Sequence, residues 1–150
     1  MVSYHRRSIE TLAEMFASGV AEISVSPTEF LRLSGVQRFE DGSGFNATLE
    51  VSVRTFEARC RPFYFDDLAE FVEDLNRSLE LLTGTCVLKS RYEKDHLALT
   101  FGTLGHVSIS GVLGEADGTN CVLRFRFSAD QTYLQSFAKE LQRIGQQLSG

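Results

Sequence analysis

The side chains best suited to acid–base chemistry or metal binding in this 150-residue sequence are three histidines, His5, His96 and His106. His96 and His106 fall on neighbouring predicted strands, where His96 should stand opposite Val112 and His106 should lie at the other end of the pair. They are therefore not placed to share a metal ion. Asp95 precedes His96, but adjacent strand residues point to opposite faces, so the two do not form a catalytic pair. No metal site and no catalytic residue is expected at the histidines.

The three cysteines, Cys60, Cys86 and Cys121, lack the close paired spacing of a zinc site or a CxxC redox motif. All three fall within apolar stretches, so we expect reduced thiols packed in a core. A nucleophilic cysteine would need a histidine or a cationic neighbour, and the sequence places none beside them. The glycines stand in strands and hairpins instead of between a strand and a helix, so neither a phosphate-binding loop nor a cofactor is expected.

Charge is distributed unevenly along the chain. Twenty acidic and fifteen basic residues give a formal net charge of −5. Six acids and a single base, Arg77, lie between residues 66 and 80, and the fourteen acids and fourteen bases elsewhere cancel. The net charge therefore resides on one segment. This excess of acid argues against nucleic acid as a partner and favours a basic protein.

The acidic segment also has the periodicity of an amphipathic helix, expected from Asp66 to Thr83. Asp67 and Glu70 have the spacing of a capping box, and Gly84 stands where a left-handed residue would end the helix. The apolar stripe consists of Leu68, Phe71, Val72, Leu75, Leu79 and Leu82.

Most acids of this helix fall opposite the apolar stripe, which allows two main interpretations besides metal binding. One is a solvated face, stabilised by the helix dipole and by a Glu73–Arg77 pair. The other is a docking surface for a basic domain such as a nuclease, on which clustered carboxylates raise the association rate and imitate phosphates. The candidate partner-binding residues are Asp67, Glu70, Glu73, Asp74 and Glu80.

A four-stranded meander is expected after this helix, because apolar and polar residues alternate there. Thr103–Gly105 fits a three-residue hairpin loop, which places Leu99 opposite Ile109. Pairing Ile109 with Phe125 then keeps the large apolar residues on one face.

This register places Arg124 and Arg126 on the open face of the meander, among small neighbours. Guanidinium groups bind carboxylates bidentately, so the two arginines are candidate contacts for an anion or a partner. Alternatively, they are solvated or paired with an acid such as Glu50. The predicted rows across the strands are Ala98, Ser110 and Arg124, and then Thr100, Ser108 and Arg126.

Upstream of the acidic helix, Glu29–Phe39 and the alternating residues from Phe45 onward predict an N-terminal hairpin. The apolar alternation changes phase near Arg54 and Thr55, where a bulge or bend would restore it. A second amphipathic helix is expected at Asp130–Leu148.

These elements predict a single domain over residues 1–150 in the α+β class. We expect one antiparallel sheet, made of the N-terminal hairpin and the four-stranded meander, with two amphipathic helices packed on one face. Residues 1–27 would form an N-terminal extension or a short helix at Ser8–Ala17. No stretch reaches the roughly 18 apolar residues that a membrane-spanning helix needs, so a cytoplasmic protein without a membrane partner is expected.

Three patches, Arg61–Leu68, Gly84–Leu88 and Phe125–Thr132, together with the order of elements, resemble the WapI-type family of bacterial immunity proteins over roughly residues 28–146. The resemblance implies a small cytosolic protein that binds the toxic C-terminal domain of a polymorphic toxin, often a nuclease, and blocks it without doing chemistry. The chain departs from the family in the stretch Met1–Pro27 and in having Phe45–Leu49 in place of a tryptophan after the first hairpin.

The leading hypothesis is thus a non-enzymatic immunity-type inhibitor that neutralises a basic toxin domain by occlusion. A ligand-binding or assembly module, such as a homodimer, would instead use Arg124 and Arg126 on the open sheet face. An enzyme would require a deep cavity that joins His96 or His106 to an acid or a cysteine.

Overall fold

A computed structural model of the chain describes residues 18–90, 94–114 and 121–149. Within these ranges the fold contains eight strands, two α-helices and two short 3-10 turns, which confirms the α+β class. In chain order they are β1 (Val20–Ser26), β2 (Glu29–Arg38), β3 (Phe45–Val53), β4 (Phe56–Phe65), α1 (Leu68–Leu81), β5 (Gly84–Lys89), β6 (His96–Phe101), β7 (His106–Leu113), β8 (Leu123–Asp130) and α2 (Gln135–Ser149). The short helix expected at Ser8–Ala17 lies outside the described residues.

The strands form two antiparallel four-stranded sheets, β1-β2-β3-β4 and β5-β6-β7-β8. The expected single sheet with an N-terminal hairpin is therefore corrected, because the first sheet is a second meander. One strand missed by the sequence analysis is β1, which lies in the segment assigned to an N-terminal extension. Its alternation is short, but Ala21 and Ile23 are fully buried and pair with Leu33 and Leu31 of β2.

The other missed strand boundary lies at Arg54 and Thr55, where the chain reverses between β3 and β4. Arg54 has a φ of 59°, in the left-handed region used by tight hairpin turns. Val53 pairs with Phe56, so each odd-numbered residue of β3 near the turn faces an even-numbered residue of β4. The change of phase that predicted a bulge is thus the signature of a two-residue hairpin turn.

The register of the second sheet is partly as expected. Leu99 pairs with Ile109, which confirms the prediction from the hairpin loop. Ile109, however, pairs with Phe127, and Phe125 pairs with Gly111, so the expected β7–β8 register is wrong by two residues. A shift of two residues leaves every side chain on the same face, so alternation alone does not distinguish the two registers.

The two helices connect the sheets. Each meander is followed in the chain by a helix, and α1 packs chiefly against β5, the first strand of the second sheet. Conversely, α2 packs against β1 of the first sheet, and the helices contact each other. Backbone hydrogen bonding also joins the sheets where the Asp66 N–H donates to the Lys89 carbonyl at 3.2 Å. One continuous apolar core results.

The core contains side chains from both sheets and both helices. Each fully buried large side chain stabilises the fold by roughly 1.5–3 kcal/mol relative to exposure. Phe45 and Phe65 stack with ring centroids 5.2 Å apart. The largest fully buried side chains include Phe63, Phe65, Phe71, Phe137, Ile23, Leu31, Leu33, Leu49 and Leu75.

The ends of α1 show which capping signals operate. Asp67 is the N-cap, and its Oδ1 accepts a hydrogen bond from the Glu70 N–H at 3.0 Å, as the capping-box spacing predicts. At the other end Leu82 adopts the left-handed conformation, and its N–H donates to the Ser78 carbonyl at 2.7 Å. The expected role of Gly84 as the helix end is therefore wrong, since Gly84 begins β5.

The tip of the β6–β7 hairpin suggests a stabilising substitution. Leu104 is fully exposed and has a φ of 57°, a conformation that costs roughly 1–2 kcal/mol for most residues and less for asparagine. Leu104→Asn is therefore expected to raise the free energy of unfolding by about 0.5–1 kcal/mol, measured by urea denaturation. Leu104→Val should lower it, because β-branched residues disfavour this region. Equal stability of the two variants would contradict the assigned loop geometry.

Candidate protein-binding surface

The acids predicted to bind a partner lie on the solvent-facing surface of α1 and at its N-cap. We call Asp67, Glu70, Glu73, Asp74 and Glu80 the acidic strip. Asp74 is partly exposed and the other four are exposed. The buried residues of the helix are Leu68, Phe71, Val72, Leu75 and Ser78.

Arg77 lies among these acids and forms two exposed ion pairs. Its guanidinium is 3.2 Å from Glu73 Oε1 and 3.4 Å from Asp74 Oδ1. Exposed pairs of this kind contribute only about 0.3–0.5 kcal/mol each. Five carboxylates and one guanidinium leave a net charge of −4 on this face, so the strip keeps a strong negative field despite its internal pairs.

A groove lies between α1 and α2, and the acidic strip borders it. Its volume is about 460 Å³. The apolar lining comes from Phe45, Leu68, Val72, Leu141 and Leu148. Polar lining residues are Asp67, Glu73 and Asn76 from α1, Gln142 and Gln146 from α2, and Arg38 from β2. Sequence reasoning missed this groove because it exists only when the two helices pack together.

A second cleft, of about 290 Å³, lies on the other side of the strip, between α1 and β5. Asp66, Glu70 and Asp74 line it, together with Lys89 at the end of β5. The strip is therefore flanked by one largely apolar groove and one strongly charged cleft. Lys89 neutralises part of the charge in this second cleft.

The cysteines occupy three different environments. Cys86 is fully buried, and its thiol lies 3.4 Å from Ser78 Oγ, to which it donates. Burial raises the pKa of the Cys86 thiol, so it stays protonated and packs as a core residue, as predicted. Cys60 is half-buried, whereas Cys121 is exposed, so core packing is wrong for Cys121. The reason is that β8 begins only at Leu123, beyond the residue whose phase was extrapolated.

His96 and His106 lie at opposite ends of the β6–β7 pair, as expected. His96 pairs with Val112, and its Nδ1 lies 3.1 Å from the Lys94 carbonyl. The His106 carbonyl accepts a hydrogen bond from the Gly102 N–H at 2.7 Å. His5 lies outside the described residues. Within the described ranges, no group of three histidine, cysteine, aspartate or glutamate residues could hold a metal ion.

Asp95 is buried, with 3% of its surface exposed, although it carries a carboxylate. Its Oδ2 accepts a hydrogen bond from the Gly114 N–H at 3.1 Å and from the Cys60 thiol at 3.7 Å. These contacts connect the start of β6, the end of β7 and strand β4. We interpret Asp95 as a structural residue that holds the two sheets together at this edge.

The arginines on β8 have different neighbours from those predicted. Both are exposed, but Arg124 pairs with Val112, and Arg126 pairs with Ser110, because of the two-residue register shift. Arg124 therefore does not have the small neighbours Ala98 and Ser110 that the predicted register placed beside it. Glu50, the acid suggested as their partner, forms an ion pair with Arg32 at 3.7 Å.

The described part of the chain contains no helix that is both long enough and apolar enough to cross a membrane. It forms an α+β protein with two meanders and two helices, whose most concentrated surface charge lies on α1. The Immunity protein WapI-like family model matches residues 17–149, and the chain belongs to this family. The resemblance expected from the sequence is therefore confirmed, and the match extends further toward the N-terminus so that it includes β1. Comparisons with curated proteins and with solved structures gave no significant match.

Proposed function

We propose that this chain is a cytoplasmic immunity protein that binds a basic toxin domain through the acidic strip and neutralises the toxin by occlusion. Membership of the WapI-like immunity family supports the general role. The observation that supports this particular surface is the concentration of charge on α1: the acidic strip and Arg77 carry a net charge of −4, and the whole protein carries −5.

The physical basis of the proposal is electrostatic steering. A surface with several clustered carboxylates attracts a basic domain over a distance of roughly one Debye length, about 8 Å at physiological ionic strength. Such steering raises association rates by roughly 10–1000-fold, and the gain falls steeply with added salt. For an inhibitor that must capture a toxin before it acts, a high association rate is the useful property.

The proposal assigns no reaction to this chain. A toxin that acts on nucleic acid carries a basic substrate-binding face, and carboxylates spaced along a helix offer that face a competing set of anions. The toxin would lose activity because its substrate can no longer reach it. A nuclease domain is the toxin type that best matches this complementarity.

The test is a binding measurement with the toxin domain encoded beside this gene. Glu73→Lys combined with Asp74→Lys should lower the association rate constant about tenfold at low salt. The change removes two carboxylates that attract the basic toxin domain and adds two positive charges that repel it. The difference should shrink as salt is added, since screening weakens exposed charges. Stopped-flow or surface-based kinetics over a salt series would measure both effects.

A matched control reverses two acids away from α1. Glu40→Lys in the β2–β3 turn combined with Glu57→Lys on β4 changes the net charge by the same amount at exposed positions. This control should reduce the association rate much less than the α1 variant. Equal rates for the two variants at low salt would contradict the acidic strip as the docking surface. Failure of the unaltered chain to bind the toxin domain would contradict the proposed function itself.

A further inference from the structure

We infer that the groove between α1 and α2 is the anchoring part of the toxin-binding surface, and that it receives an apolar side chain of the toxin flanked by a lysine or arginine. The inference rests on the proposed function and adds to it a second contact of different chemistry. The acidic strip governs approach, and the groove holds the complex once it has formed.

The shape and composition of the groove suit an apolar anchor. Its volume of about 460 Å³ is within the range of pockets that enclose one or more large side chains. Leu68, Leu141 and Leu148 at its floor belong to the buried core, and its more accessible apolar surface comes from Phe45 and Ala69. In protein interfaces, the side chains that contribute most binding free energy are large ones that fill a pocket of the partner and exclude water from it.

The charges around the groove indicate what must flank that side chain. On the α1 wall stand two carboxylates, Asp67 and Glu73, whereas the α2 wall offers the neutral amides of Gln142 and Gln146. Arg38 lies at the groove as well. A partner cation would therefore be favoured on the α1 side, and backbone groups of the partner could hydrogen-bond to the two glutamines. This pattern is complementary to a segment of a basic protein.

Gly145 provides an independent indication that the groove is kept open. It lies inside α2, where glycine is less favourable than alanine. A Cβ added at Gly145 would meet Leu68 Cδ2 at 3.7 Å, which is ordinary van der Waals contact. Packing within the chain therefore does not require glycine here. Gly145 lines the groove, and the absence of a methyl group there leaves the α2 wall lower at the expense of helix stability.

The strip and the groove should act on different rate constants. Charges at the rim of an interface change association and its salt dependence, whereas buried anchors change dissociation. A substitution that fills the groove without altering any charge should therefore leave association unchanged and accelerate release. This separation distinguishes the inference from the proposed function.

The experiment fills the groove from the α1 wall with Ala69→Trp, an exposed alanine that lines it. We expect the dissociation rate constant of the toxin domain to rise at least tenfold, with the association rate constant within twofold of the unaltered chain. Gln147→Trp is the matched control, because Gln147 is an exposed neutral residue of α2 that does not line the groove. It should change neither rate.

Gly145→Ala serves as a second variant in case the tryptophan disturbs folding. It should raise the thermal midpoint of the free protein by a few degrees and yet weaken toxin binding several-fold. An increase in stability accompanied by a loss of binding is not expected of a purely structural position.

The outcomes separate the two proposals. If toxin dissociates from a folded Ala69→Trp variant at the normal rate, the groove is not the anchoring site. The proposed role of the acidic strip would be unaffected. The inference is also wrong if toxin release is unaltered and Ala69→Trp changes the free protein instead. A change of mass in light scattering would mean that the groove holds a second copy of the chain. A lower thermal midpoint would mean that it holds residues 1–17 of the same chain. No binding by the unaltered chain would overturn the proposed function instead.

Discussion

Gly111→Ala is expected to lower the free energy of unfolding by about 2–3 kcal/mol, within the range for overpacked core sites, and Gly111→Val by more. A Cβ at Gly111 would lie 2.6 Å from the His96 carbonyl oxygen and 2.7 Å from two ring carbons of Phe125. The carbonyl belongs to the backbone of β6, and Phe125 is only 8% exposed, so neither neighbour can move away cheaply. Strand β7 is central in its sheet, and a shift there disturbs pairing on both sides.

Equilibrium urea denaturation would measure this loss, with Gly102→Ala as the control. A Cβ at Gly102 would have its nearest neighbour, the His106 carbonyl oxygen, at 3.7 Å, so its stability should change by less than about 0.5 kcal/mol. Adding Phe125→Leu to Gly111→Ala should restore part of the loss, because a smaller side chain leaves room for the methyl group. Unchanged stability of Gly111→Ala would mean that Phe125 does not lie over Gly111 and that the β7–β8 register is different.

Asp95→Ala is expected to lower the free energy of unfolding by about 2–3 kcal/mol, the typical range for buried hydrogen bonds to charged groups. The substitution removes the acceptor for the Gly114 N–H and for the Cys60 thiol, which come from different sheets. Asp95→Asn should cost less, since an amide oxygen can still accept from Gly114 but without a charge.

Thermal and urea unfolding of both variants would test this assignment, and Glu57→Ala is the control at an exposed position of β4. The control should change stability by less than about 0.5 kcal/mol. If Asp95→Ala retained full stability but lost the proposed binding to a toxin domain, the structural interpretation of Asp95 would be wrong and the residue would belong to the proposed binding surface.

Local signals in the sequence predicted the acidic helix and part of the second sheet. The period of α1 and its N-cap at Asp67 depend on neighbouring residues, as does the Thr103–Gly105 loop that sets the β6–β7 register. The C-terminal end of α1 was mispredicted because a leucine, Leu82, adopts the conformation for which glycine is usually expected.

Features that depend on distant parts of the chain were not predictable in the same way. Phe125 pairs with Gly111, whose missing side chain leaves room for the ring. Hydrophobic alternation along one strand does not report the side-chain volumes on the neighbouring strand, so it does not predict this pairing. The groove requires two helices separated by more than fifty residues to pack together. One signal for it was nevertheless present in the sequence, because Gly145 interrupts a helix of otherwise ordinary composition.

The exchange of helices between the two meanders has a consequence for how the protein forms. Helix α1 packs on β5 and α2 packs on β1, so each sheet receives a helix from the other half of the chain. Helix α2 also contacts the first described residues, where Arg143 Nη2 donates to the Ser18 carbonyl at 2.7 Å. Contacts of such sequence separation slow folding and make it cooperative. Until α2 docks, β1 lacks the helix that packs against it, so the first sheet is finished only by a segment from the other half of the chain.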